Sequence, residues 1–136
     1  MVMRVAQAQK ELTINESLAL LDALLHPVVE GHADEPPAAA PEGQCWIVGA
    51  QPNGEWSGQA GQIACRQAGN WLFVQPVDGF CAFDRSTGGH VRFFGGWTGA
   101  VPLAAPDGGT TVDAEARDAI EQIIAALTAS GMVLRA

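Results

Sequence analysis

Gly69-Asn70-Trp71-Leu72-Phe73-Val74-Gln75-Pro76 is the stretch that sets the terms for the fold. Its four central residues are large, apolar and strong strand formers. Successive side chains of a strand point to opposite faces, so this strand is apolar on both. A sheet containing it needs cover on two sides, which rules out a lone one-sided sheet. Gly69 and Asn70 suit a two-residue hairpin turn, where positive φ is required.

Working outward, Cys45–Ala50, Gln62–Gln67, Trp71–Gln75, Phe80–Asp84 and His90–Phe94 are strand candidates, each ending near Gly, Pro or Asp. Ser86–Gly89 is a second reversal. All four Trp and all five Phe lie between Trp46 and Trp97, and the chain has no Tyr. The middle of the protein is therefore expected to have an aromatic core, and the ends an aliphatic one.

On the N-terminal side, Thr13 to His26 has the pattern of an amphipathic helix. Thr13 and Glu16 fit a capping box, and Ile14, Leu18, Leu21 and Leu25 form one stripe. Pro27 ends it. On the C-terminal side, Thr111 to Ser130 is expected to be helical, capped by Thr110 or Thr111 and closed by Gly131. Ala116, Ile120, Ile123 and Leu127 follow the 4-3-4 spacing of a coiled-coil seam, in which isoleucine at the inner positions favours three or four strands. The alternative is a single helix packed on its own sheet.

The expected class is α+β: an N-terminal helix, a small antiparallel β domain of meander or sandwich type, and a C-terminal helix. Residues 1–30 form a helical docking segment, 31–43 a Pro-rich linker, 44–100 the Trp/Gly-rich β domain, and 101–136 a loop with the last helix. Pro36, Pro37 and Pro41 give the linker a semi-rigid extended character.

Bulk composition narrows the function. A net charge of −8, with only seven scattered Lys and Arg, argues against nucleic acid as a partner. Cys45, Cys65 and Cys81 are odd in number and lack C-x-x-C spacing, so buried free thiols are expected in place of a zinc site. The first residues hold no apolar run long enough for a signal peptide or a membrane span, so cytoplasmic synthesis without membrane insertion is expected.

No catalytic constellation emerges. Gly54 to Gly61 is glycine-rich but has no Walker lysine and no following helix. His26, His32 and His90 have no adjacent nucleophile motif and are expected at surfaces or caps. Glu55, Asp78 and Asp84 have no spacing that marks them for glycoside hydrolysis. The chain is expected to be no enzyme, with no metal and no cofactor. Trp56 and Trp97, with Asn53, are candidates for a glycan surface, since aromatic faces stack on sugar rings while amides orient hydroxyls. Trp56 either plugs the core or sits exposed.

Four stretches, QAQKELTINESLALLDALL (7–25), PPAAAPEGQCWIVGAQPNGEWSGQAGQIA (36–64), GNWLFVQP (69–76) and DGFCAF (78–83), resemble the DUF2793 family. The resemblance runs to about Trp97. It implies a setting in prophages and gene transfer agents of alphaproteobacteria, within tail-fibre, baseplate or head-spike proteins, but carries no chemistry. A virion structural role follows as the expectation, with host attachment by a carbohydrate-binding module as the alternative. Leu18, Leu21 and Leu25 of the first helix, with Ile120, Ile123 and Leu127 of the last, are the expected oligomer and docking residues. The expected partners are a homotrimer, other virion proteins, and possible contact with a host surface polysaccharide.

Overall fold

The computed structural model describes residues 5–136. The first four residues of the expected docking segment, and with them part of the expectation about a leader, lie outside the described residues. The elements are α1 (Val5–Leu25), β1 (Val28–Val29), β2 (His32–Ala33), β3 (Cys45–Val48), a 3-10 turn (Gly54–Trp56), β4 (Ile63–Gln67), β5 (Asn70–Val74), β6 (Cys81–Asp84), β7 (Gly89–Phe93), β8 (Trp97–Gly99), β9 (Pro102–Leu103), α2 (Ala114–Ala129) and β10 (Leu134–Arg135). The class is α+β, with helices at both ends of a two-sheet domain.

α1 starts well before Thr13, because the preceding Ala, Gln, Lys and Glu are strong helix formers with no breaker among them. The expected capping box therefore falls inside the helix, where Ser17 Oγ donates to the Thr13 carbonyl at 2.8 Å. In α2 the cap is Asp113, whose carboxylate accepts from the Ala116 amide at 2.9 Å, in place of Thr110 or Thr111. Gly131 closes α2 with φ of 70°, as its position predicts.

Both four-stranded sheets share one plan. In the first, β3-β4-β5 is an antiparallel meander and β2 joins β3 in parallel; in the second, β6-β7-β8 is the meander and β1 joins β6 in parallel. The sheets are therefore mixed, and not purely antiparallel as the sequence suggested. The segment expected to be a spacer supplies β2, and Asp34 just beyond it accepts from the Gln51 amide at 3.0 Å. β9 and β10 form a separate two-stranded pair.

The correspondence extends to single hydrogen bonds. Ile47 and Gly49 amides donate to the Gly31 and Ala33 carbonyls, and Phe83 and Arg85 amides donate to those of Pro27 and Val29. Gly43-Gln44-Cys45 and Gly79-Phe80-Cys81 open the two meanders. Gly69-Asn70-Trp71 with Pro76, and Gly95-Gly96-Trp97 with Pro102, mark their third strands at the same spacing. The domain is built from two structural repeats of one plan.

The two units pack on one another through a shared core. Cys45, Ile47, Ile63 and Cys65 of the first sheet meet Val29, Ala82 and Val91 of the second, with Val74, Phe80 and Trp97 packed around them. Cys81, which corresponds to Cys45, therefore points to the opposite face. The other face of the first sheet, with Trp46, Ala64, Trp71 and Phe73, is covered by Trp56 from the long β3–β4 loop. Trp56 is 0% exposed, and burial of a side chain this large contributes on the order of 3 kcal/mol. The two apolar faces of Trp71–Val74 are thus covered by different means, one by a sheet and one by a loop.

The β4–β5 turn consists of Ala68 and Gly69, one residue earlier than expected, with φ of 49° and 76°. The Glu42 carboxylate binds both amides, at 2.9 Å from Gly69. That clamp holds Ala68 in a conformation which L-residues rarely adopt.

Candidate functional site

Cys45 and Cys65 are not free thiols. The antiparallel register sets them directly opposite, with Cα atoms 4.1 Å apart, and they form a disulfide; Cys81 is the free cysteine. The expectation of three buried thiols fails because the pairing joins residues on different strands.

α1 touches the domain through small side chains near its end. Ala23 packs on the core, and Ala19 and Ala23 line a cleft of about 390 Å³ beside Cys45, Cys65 and Leu72. The stripe of Ile14, Leu18, Leu21 and Leu25 lies on the opposite side of the helix. Leu18 is 58% exposed and Leu25 73%. Of the expected docking residues, Leu18, Leu21 and Leu25 therefore stand together in solvent. On α2, Ile120 and Ile123 are exposed and Leu127 is half-buried. Ile124 faces Leu103, Ala104 and Ala105 across a groove of about 680 Å³. No residue of α2 is fully buried.

The glycan candidates are not brought together. Trp56 is the plug of the first sheet, edge-on to Trp71 at 5.0 Å with planes 86° apart. Its indole N–H has no oxygen or nitrogen partner. Trp71 Nε1 donates to Glu55 at 3.1 Å, and the Arg66 guanidinium lies 5.1 Å from the Trp71 ring. Trp97 is half-buried in the second sheet, donates to the Gly61 carbonyl at 2.8 Å, and packs edge-on against Phe80 and Phe93. Asn53 is exposed at the start of the 3-10 turn. Trp97 borders a groove of about 500 Å³, shared with His32 and Gln75.

Sequence reasoning missed the buried carboxylate of Asp84, which is 1% exposed. Its Oδ1 accepts from the Ser86 amide at 2.8 Å and from Ser86 Oγ at 2.6 Å, and His32 Nε2 lies 3.9 Å from Oδ2. Gly31, where the chain crosses from β1 to β2, has φ of 153°, and a Cβ there would sit tightly, at 3.2 Å, against Ser86. The group secures that crossing. The Asp-Arg-Ser sequence at 84–86 resembles an ordinary turn, so the burial had no local signal. Among the described residues no group of three or more His, Cys, Asp or Glu is arranged to hold a metal. Among them, too, no helix is long and apolar enough to cross a membrane.

These features define a domain of two sheets built on one plan, with a helix at each end that leaves large apolar side chains exposed. The chain belongs to DUF2793, a family of proteins of unknown function, which it matches over residues 14–98. That span starts inside α1 and ends in β8, so the second half of the first helix and both meanders as far as Thr98 lie within it, while α2 lies outside. No curated protein matches the chain.

Proposed function

We propose that the chain is a non-enzymatic structural component of a phage-like particle, a tail-fibre, baseplate or head-spike part that self-associates and docks onto the particle. The observation that carries this reading is the apolar stripe of α1. Ile14, Leu18, Leu21 and Leu25 are exposed, while the same helix meets its own domain through alanines. A row of large apolar side chains left in water supports reading this face as an interaction surface. Ile120 and Ile123 of α2 add a second exposed seam, and isoleucine at such positions favours three or four strands over two. The particle setting is the one that the family resemblance in the sequence implies.

The test is the double substitution Leu18→Glu with Leu21→Glu. It should convert an oligomer to a monomer while leaving tryptophan emission and the melting transition of the β domain unchanged. An unchanged oligomer would show that α1 is not the contact. A second reading, a carbohydrate-binding module, rests on the groove beside Trp97 alone. Quenching or enhancement of Trp97 emission by host polysaccharide, absent in Trp97→Phe, would favour it.

A further inference from the structure

Asn53 and Gly54 form the only Asn-Gly pair in the chain, and both residues are exposed. Asn53 opens the 3-10 turn without using its side chain as a cap. Among the described residues its carboxamide has no hydrogen-bond partner, and neither has the Gly54 N–H. The side-chain carbonyl carbon and the next backbone nitrogen are thus both free, and Gly54 has no Cβ to screen that nitrogen.

Comparable positions are protected. Asp78 Oδ1 accepts from the Gly95 amide at 2.8 Å, and the Gly79 N–H donates to the Phe93 carbonyl at 2.9 Å, so both groups of that Asp-Gly pair are occupied. Asp107-Gly108 is exposed, but its carboxyl group would have to expel hydroxide, a poorer leaving group than ammonia. Asn15 lies inside α1, and Asn70 is followed by the bulky Trp71.

The main chain on either side of the Asn53-Gly54 bond is anchored. The Asn53 N–H donates to the Asp34 carbonyl at 2.8 Å, and the Gly54 carbonyl accepts from the Ser57 amide at 3.2 Å and from Ser57 Oγ at 2.9 Å. These anchors set the position of Glu55, which accepts from Trp71 Nε1, and of Trp56, the buried plug of the first sheet.

We propose that Asn53-Gly54 is a self-modification site, where the chain loses ammonia and gains an isoaspartyl linkage that loosens the Trp56 plug. The Gly54 nitrogen gives its proton to solvent and attacks Asn53 Cγ. A C–N bond forms within a succinimide ring, the bond from Cγ to the side-chain nitrogen breaks, and that nitrogen leaves as ammonia with a proton from solvent. Water then opens the ring. Cleavage between Cγ and the Gly54 nitrogen gives aspartate, and cleavage between the Asn53 main-chain carbonyl carbon and that nitrogen gives isoaspartate. The sum is an amide and water becoming a carboxylate and ammonium, with no change of oxidation state. In isoaspartate the main chain runs through Cβ and Cγ, one methylene longer between the two anchors. An interior packed as closely as a crystal feels a displacement of that size. The reaction needs no partner and no assembly.

Incubation of the full-length protein in mildly alkaline buffer, followed by peptide mass mapping, tests this. Asn53 should convert in the folded protein no more than about tenfold slower than in the urea-unfolded chain, as an exposed, unbonded site allows. The product should accept a methyl group from S-adenosylmethionine through an isoaspartate methyltransferase, while Asn15, Asn70 and Asp78 stay unmodified. Asn53→Gln, whose longer side chain would have to close a larger ring, should release no ammonia from this position. The purified isoaspartyl form should show red-shifted tryptophan emission and a lower melting temperature. Asn53→Asp, which adds the charge alone, should match the parent chain in both. An intact Asn53 in the folded protein, under conditions that convert the unfolded chain, would overturn the proposal. So would conversion spread equally over the three asparagines, or an isoaspartyl form that emits and melts like Asn53→Asp.

Discussion

Cys81 faces Arg92 across the β6–β7 pair at the position where Cys45 faces Cys65 across β3–β4. In each pair the neighbouring backbone bonds flank the two residues, as Arg66 to Gln44 and Phe93 to Phe80 show. Such pairs bring Cα atoms to about 4.5 Å. The odd cysteine is thus half of a pair whose partner position holds arginine.

Arg92→Cys should therefore form a second disulfide with Cys81 without reduction of the first. Intact mass under non-reducing conditions should show no free thiol, and urea unfolding should gain about 2–3 kcal/mol. Two free thiols in the folded variant would contradict the equivalence of the sheets.

Removal of the native disulfide should be costly. It joins residues separated by 20 positions in sequence, and the doubly substituted Cys45→Ala, Cys65→Ala chain should lose about 3 kcal/mol in urea unfolding. A loss below about 0.5 kcal/mol would mean that the crosslink is not formed in the folded protein.

Trp56 separates ring burial from its unpaired N–H. Trp56→Ala empties the cover of the first sheet and should cost about 3–5 kcal/mol. Trp56→Phe keeps an aromatic plug and deletes the donor that lacks a partner. Its cost, read by the same unfolding curve, should stay under about 1.5 kcal/mol. Equal losses for the two variants would show that a phenyl ring does not replace the indole as cover of the first sheet.

Ala68 sits at φ of 49° in the β4–β5 turn. Glycine adopts that conformation without the Cβ clash, so Ala68→Gly should raise stability by about 0.5–1 kcal/mol. A loss of stability would show that the Glu42 clamp, and not backbone strain, dominates the turn.

Trp71 to Val74 made the two-faced sheet legible, because four apolar residues in a row leave no solvent face. The strands β3 to β7 and both helices follow from local pattern in the same way. The parallel strands β1 and β2 do not, since two residues show no periodicity and their partners lie far along the chain. The disulfide was hidden for the same reason. The apolar stripe of α1 was legible, but its orientation was not. Ala19 and Ala23 compete with four larger residues for the domain, and only the packed structure shows that the alanines face it. Trp56 and Trp97 look alike in sequence, yet one plugs a sheet and the other borders a groove.

The molar mass of the purified protein by light scattering, measured over a hundredfold range of concentration, tests the central claim most directly. The account predicts a species three times the 14.2 kDa mass of the chain, converted to one chain mass by Leu18→Glu with Leu21→Glu. A single chain mass at every concentration would contradict it.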